Sequence, residues 1–93
     1  MENKITKDKL KKYFHVTKTA FEIIQKNIIK GKENSAKEII NMAKNYISDA
    51  EYFEKKQDYV NAFAALNYAH GWIDSGVRLG IFNVKDNKLF TIR

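Results

Sequence analysis

Residues 58–80 read DYVNAFAALNYAHGWIDSGVRLG and predict a helix that is apolar on two adjacent faces. Asp58 is a typical N-cap residue, and Gly80 suits the left-handed position that follows many helices. Between these two residues, apolar side chains recur at steps of three and four. One stripe holds Tyr59, Phe63, Leu66, His70, Ile73 and Val77, and the other holds Ala62, Ala65, Ala69, Trp72, Gly76 and Leu79. We therefore expect a helix over residues 59–79 that packs against both other helices, or against one of them and a second protomer.

Two amphipathic patterns precede this helix. Apolar residues on one side predict a first helix over residues 6–30, with Gly31 as its C-terminal cap. Ser35 and Glu38 form a capping-box pattern, which predicts a second helix over residues 36–56. Because the connections are short, we expect an all-α, three-helix up-and-down bundle that forms a single domain over residues 1–93.

The spacing of apolar residues changes in residues 81–93 and no longer fits a helix. Short β-favouring runs flank Asp86 and Asn87, two residues that tolerate a tight turn. An isolated hairpin is only marginally stable in water. We therefore expect a short β-like C-terminal extension that either docks on the bundle or stays loose.

The composition excludes several classes of protein. The 93 residues include no Cys, which rules out disulfides, thiolate metal sites and Cys nucleophiles. No apolar run approaches the ~20 residues that a membrane span needs, and the first residues lack the apolar core of a signal peptide. We expect a cytoplasmic protein that does not associate with a membrane.

The formal charge of +6 lies in the first third of the chain. Residues 1–32 hold nine lysines against three acidic residues, whereas residues 33–93 are neutral. Such asymmetry is typical of a contact with nucleic acid, an anionic membrane or an acidic protein. Solvated helix surfaces and an AT-rich coding sequence also produce many lysines, and we favour that ordinary interpretation. The candidate nucleic-acid-binding residues are Lys4, Lys7, Lys11, Lys12 and Lys18.

A polar strip on the third helix holds the candidates for chemistry, Asn67, His70, Asp74 and Arg78. His70 and Asp74 lie one turn apart, and an imidazole held by a carboxylate is the orienting half of many acid–base sites. No catalytic motif supplies a nucleophile. We therefore interpret His70 as part of an internal polar network, bonded to Asp74 or across to another helix, and expect no enzymatic activity. Arg78 can pair with Asp74 or bind an anion.

Two glycines inside the same helix indicate that another part of the molecule, or a partner, comes close. Each glycine costs about 1 kcal/mol relative to alanine. A neighbouring helix, the docked tail or a dimer partner would each explain them, and we favour close packing within the chain. The candidate interface residues are Tyr68, Gly71, Trp72 and Gly76. The two histidines lie on different helices without metal-ligand spacing, so we expect no metal and no cofactor.

The run DAEYF at residues 49–53, followed by residues 58–80, resembles the archaeal family called domain of unknown function 357. The resemblance extends over most of the chain. It implies an archaeal cytoplasmic protein built as a three-helix up-and-down bundle. It implies no activity, so no catalytic residue is carried over from it.

These observations favour a non-enzymatic helical module that binds a protein partner or a second copy of itself. The alternative is an RNA- or DNA-binding accessory domain that uses the Lys-rich first helix. An enzyme built on His70, Asp74 and Arg78 would require all three side chains to converge in an accessible pocket.

Overall fold

The computed structural model describes residues 6–85, which form three helices. They are α1 (Lys7–Gln25), α2 (Glu33–Lys55) and α3 (Tyr59–Arg78). The prediction of an all-α three-helix bundle is confirmed. Lys4 and the predicted turn at residues 86–87 lie outside the described residues.

The third helix is the central element of the bundle. Residues 26–32 and 56–58 are short connections, so consecutive helices run antiparallel and α1 runs parallel to α3. α3 packs extensively against α2 and also against α1, whereas α1 and α2 make few contacts with each other. Most of the two apolar stripes of α3 therefore packs against both other helices, as the first of the two sequence-based alternatives predicts, whereas Trp72 and Leu79 stay exposed.

The core consists of two apolar clusters separated by a polar layer. One cluster holds Leu10, Phe14, Ala50, Ala62, Ala65 and Leu66. The other holds Ala20, Ile24, Ala36, Ile39, Ala43, Ile73, Val77, Ile81 and Phe82. Thr17 lies between them along α1 and is the one fully buried polar residue in the described part of the chain. Its hydroxyl needs a partner there, because an unpaired buried polar group is costly.

Side-chain caps begin two of the helices. The Thr6 hydroxyl accepts a hydrogen bond from the Lys9 N–H at 3.1 Å at the start of α1. The Asp58 carboxylate accepts one from the Asn61 N–H at 3.2 Å at the start of α3, so the predicted N-cap is confirmed. At the other end of α3, Gly80 adopts a left-handed φ of 75°, also as predicted.

The predicted end of the first helix is wrong. α1 ends at Gln25 rather than at residue 30, so Gly31 is not its cap. The side-chain amide of Asn27 donates to the Ile23 carbonyl at 2.7 Å, which satisfies part of the last turn. Ile28 continues the apolar period of α1, but it forms an isolated antiparallel bridge with Phe82. That long-range pairing replaces the next helical turn.

The predicted start of the second helix is wrong as well. α2 begins at Glu33, so Ser35 lies inside its first turn and the Ser35–Glu38 capping box does not form. Gly31 has a left-handed φ of 92° and turns the chain into the helix. Its N–H donates to the Glu33 carboxylate at 3.0 Å. An acidic side chain in the first turn of α2 thus accepts from the backbone of the preceding turn, and no serine cap forms.

The segment after α3 closes one end of the bundle. The Ile29 N–H donates to the Ile81 carbonyl at 3.0 Å, and the Asn83 N–H donates to the Asn27 carbonyl at 2.8 Å. The Phe82 side chain is almost fully buried. The described part of the C-terminal extension therefore docks on the α1–α2 connection. It forms no strand of its own within residues 81–85.

Candidate functional site

A shallow groove runs along the outward face of α3, on the side away from the core. It has a volume of about 330 Å³ and is lined by Asn67, Tyr68, Gly71, Trp72 and Ser75. Tyr68 is 62% exposed and Trp72 is 38% exposed, although both are large and aromatic. A Cβ atom added at Gly71 would meet nothing within 4 Å. The absence of a side chain at position 71 therefore leaves an open floor between two aromatic residues.

A second groove continues the first toward α2. It has a volume of about 180 Å³ and is lined by Tyr46, Asp49, Phe53, Asn61, Ala64, Ala65 and Tyr68. Tyr68 separates the two grooves, and its ring stacks on that of Tyr46 with the centroids 5.3 Å apart. This contact holds the exposed Tyr68 ring against α2. We call the two grooves together the α3 face.

The α3 face carries little charge. α3 contains two charged residues, Asp74 and Arg78, whereas charged residues recur throughout α1 and α2. Asp74 is directed toward His70 rather than outward. From Val60 to Ser75 the outward side of α3 is therefore uncharged, in a chain that is 30% charged. Depletion of charge around exposed aromatic residues is typical of the centre of a protein interface.

A polar network fills the layer between the two core clusters. The Nδ1 atom of His70 lies 3.3 Å from the Thr17 hydroxyl oxygen. Its Nε2 atom lies 3.6 Å from Asp74 Oδ1, and both of these side chains are largely buried. The sequence left open whether His70 meets Asp74 or another helix, and it does both. The imidazole thus gives the buried Thr17 hydroxyl the partner it needs.

Tyr13 extends this network to the surface. Its hydroxyl donates to the Asn67 side-chain carbonyl at 2.8 Å, and its ring stacks on His70 at a centroid distance of 6.0 Å. Burial raises the pKa of the Tyr13 hydroxyl above its ordinary value of 10.0, and the Asp74 carboxylate raises it further. Asn67 therefore belongs to both the polar network and the groove on α3.

A hydroxyl, an imidazole and a carboxylate in a row are also the parts of a nucleophilic relay. Here the hydroxyl belongs to Thr17, which is 0% exposed. A nucleophile has to reach the substrate atom that it attacks. Thr17 of α1 is buried against α3, so its contact with His70 links the two helices. The hydroxyl does not lie at the surface, where a substrate could reach it.

The four residues of the predicted polar strip do not converge in one pocket. Asn67 and Arg78 are exposed, whereas His70 and Asp74 are directed into the layer beside α1. The pairing of Asp74 with Arg78 stays a prediction. Sequence reasoning missed Thr17 and Tyr13 as partners of the strip. The available signal was a hydroxyl residue, Thr17, within an otherwise apolar stripe of α1.

Three of the four predicted interface residues meet in the groove, namely Tyr68, Gly71 and Trp72. The fourth, Gly76, is buried and faces Phe82 from its own chain. Its assignment to an outer interface is wrong, because the docked segment after α3 fills that space. The preferred interpretation of close packing within the chain holds for Gly76.

The predicted lysine stripe is only partly available to a ligand. Lys7, Lys11 and Lys12 are exposed on α1. Lys18 is exposed too, but its ammonium pairs with Glu51 of α2 at 2.6 Å. Its ammonium also lies 5.4 Å from the centroid of the Phe14 ring.

Residues 6–85 contain no cluster of three or more His, Cys, Asp or Glu side chains that could hold a metal ion. None of the helices in this range combines the length and the apolar content that crossing a bilayer requires.

The fold and the α3 face define a class of protein: a small three-helix bundle with an aromatic outer face that carries little charge. The chain belongs to the family described as protein of unknown function (DUF357), whose model matches residues 12–82. No curated protein and no solved structure matches the chain.

Proposed function

We propose that the chain is a non-enzymatic interaction module that binds a protein through the α3 face. The observation that carries the proposal is the open groove over Gly71, flanked by the exposed rings of Tyr68 and Trp72. Single exposed apolar residues are common, but a contiguous apolar patch with a groove and little charge is typical of an interaction site. Tyr and Trp are also the residues that most often dominate binding energy at interfaces.

The proposal assigns no catalytic role to the polar network. Thr17, His70 and Asp74 join α1 to α3, which fixes the angle at which α3 presents its outward side. A binding surface on a rigid helix needs such support, because a loosely held surface loses affinity to ordering costs. The proposal places the chain in the cytoplasm, a reducing compartment that suits its cysteine-free composition.

Site-specific photo-crosslinking tests the proposal. A photoreactive amino acid would replace Tyr68 in one variant and Lys44, which is exposed on α2, in a control variant. Both variants would be expressed in the native host and irradiated. We expect a discrete protein adduct from position 68 and none from position 44. If position 68 yields no adduct, or the same adducts as position 44, the α3 face is not a binding site.

A second candidate function is nucleic-acid binding through α1. It is favoured by the exposed lysines at positions 7, 11 and 12 and by the concentration of net positive charge in residues 1–32. It is weakened by Lys18, which already pairs with Glu51. Three phosphate contacts predict a log–log salt slope of roughly −3 for duplex DNA.

Matched charge variants separate this candidate from non-specific attraction. One variant replaces Lys7, Lys11 and Lys12 with Gln, and the control replaces Lys37, Lys44 and Lys55 of α2 with Gln. Both lose the same charge from exposed positions. If α1 contacts phosphate, only the first variant loses the salt slope. Equal losses would indicate that binding follows net charge alone.

A further inference from the structure

We infer that the partner on the α3 face is a second copy of this chain, with the two α3 helices packed antiparallel around Gly71. This inference rests on the proposed function, because it uses the same surface and specifies what binds there. Three observations support it: the shape of the groove, the position of one charge on each side of it, and the location of the excess positive charge.

The first observation is that one surface supplies both a depression and the side chains to fill it. A two-fold dimer brings the same patch from both copies together, so the patch has to complement itself. At Gly71 nothing lies within 4 Å of an added Cβ, and Tyr68 and Trp72 stand beside it. In an antiparallel pair centred on Gly71, Tyr68 and Trp72 of each copy lie beside the open space over Gly71 of the other copy.

The same symmetry matches the polar residues of the groove. Positions equally far before and after Gly71 come to the same level, so Asn67 of one copy meets Ser75 of the second copy. Both residues line the groove. An amide and a hydroxyl can hydrogen-bond each other, so neither polar group would be left unpaired at the centre of the contact.

The second observation is the placement of charge. Arg78 follows Gly71 by two helical turns, and Ala64 precedes it by two turns, each about 10.5 Å along the axis. Ala64 lines the second groove, whose one charged lining residue is Asp49. Antiparallel packing therefore brings exposed Arg78 of each copy to the level of exposed Asp49 in the other. A parallel pair would instead bring Arg78 beside Arg78, and like charges at an interface oppose association.

The third observation concerns the rest of the molecule. The net charge of +6 lies in residues 1–32, and residues 33–93 are neutral. Lys7 and Lys11 share a side of α1 with Lys18, which reaches Glu51 of α2. That side is away from the outward side of α3. A dimer through the α3 face joins two surfaces that carry little net charge. The lysine-rich sides of the two α1 helices stay apart, so they do not oppose association.

A charge-exchange experiment tests the inference. Arg78→Glu and Asp49→Lys are each expected to weaken the dimer by at least about tenfold, because each places two pairs of like charges across its own homodimer. Mixing the two variants restores opposite charges at both positions in the heterodimer. Sedimentation equilibrium of each variant and of the equimolar mixture measures association. Lys44→Glu, an exposed charge reversal on α2, is the control and should associate like the wild-type chain.

The outcomes distinguish this inference from the function on which it rests. Wild-type chain that is monomeric at millimolar concentration overturns the second-copy inference. Folded variants whose mixture associates no better than either one alone overturn the antiparallel pairing. If crosslinking at position 68 captures a different protein while the chain stays monomeric, the proposed function stands and the inference fails. If position 68 captures nothing, both fail.

Discussion

The Phe82 ring fills the space next to the backbone of Gly76. A Cβ atom added at Gly76 would lie 2.8 Å from Phe82 Cδ2 and 3.0 Å from Ile39 Cδ1. Both neighbours are buried, so neither can turn out into solvent. The glycine therefore belongs to a close contact between α3 and the segment that follows it.

The contact with Phe82 predicts opposite effects for the same substitution at two glycines. Gly76→Ala should lower the free energy of unfolding by about 1 kcal/mol, because overpacking costs about 1–3 kcal/mol and better helix propensity returns up to about 1 kcal/mol. Gly71→Ala meets no neighbour and should raise the free energy of unfolding by up to about 1 kcal/mol. Urea titrations at low protein concentration measure both. Equal stabilisation at the two positions would contradict the Phe82 contact.

Removing the ring itself should loosen the end of the bundle. Phe82→Ala should cost about 3–5 kcal/mol, as expected for truncation of a buried phenylalanine. The N–H groups of Ile29 and Asn83, which donate across this contact, should then exchange faster with solvent. Native-state hydrogen exchange measures them. Tyr52→Ala, at a largely exposed aromatic residue, is the control and should change stability by less than about 0.5 kcal/mol. Unchanged exchange at Ile29 would show that the bridge does not depend on Phe82.

The raised pKa of Tyr13 predicts a loss of stability at high pH. The folded state holds the phenolic proton more tightly than the unfolded chain does. The contribution is complete below pH 10.0, the ordinary pKa, and is lost as the pH rises through the folded-state pKa. The wild-type chain should therefore lose more stability in that window than Tyr13→Phe. Phenolate absorbance should show a lower Tyr13 pKa in Asp74→Asn, because one of the two causes is removed. An unchanged pKa in that variant would exclude the effect of Asp74.

The hydroxyl of Thr17 should contribute more to the stability of the fold than the volume of the side chain does. Thr17→Val keeps the shape of the side chain but removes the group that lies 3.3 Å from His70 Nδ1. We expect a loss of about 1 kcal/mol in the free energy of unfolding, the usual value for a hydrogen bond inside a protein. Thr19→Val, half-buried on the same helix, is the control. Thermal and urea unfolding of both variants would measure the difference, and equal effects would show that the Thr17–His70 contact contributes nothing of its own.

The features that were predicted correctly depend on local sequence. The cap at Asp58 and the left-handed turn at Gly80 each involve a few neighbouring residues, so the pattern alone identifies them. The central position of α3 followed from its two apolar stripes. Because these signals are short-range or periodic, tertiary structure has little opportunity to override them.

The errors occur where distant parts of the chain meet. Ile28 has the spacing of a further turn of α1, but its backbone pairs with residues that follow α3. Ser35 has the spacing of an N-cap, but the turn at Gly31 starts α2 before it. The role of Gly76 depends on Phe82, and that of Thr17 depends on His70. No local pattern contains such pairings, because the partners are far apart in sequence.

The docked segment after α3 has a consequence for the order in which the chain can mature. A nascent chain leaves the ribosome N-terminus first, and α1 and α2 emerge before α3. Ile81 and Phe82, which hold the α1–α2 connection, emerge later still. Until they do, the end of the core beside Gly76 and Ile39 lacks its cover. A chain stalled within α3 would thus expose apolar surface to chaperones and proteases. Translation has to run past Phe82 before this end of the bundle can close.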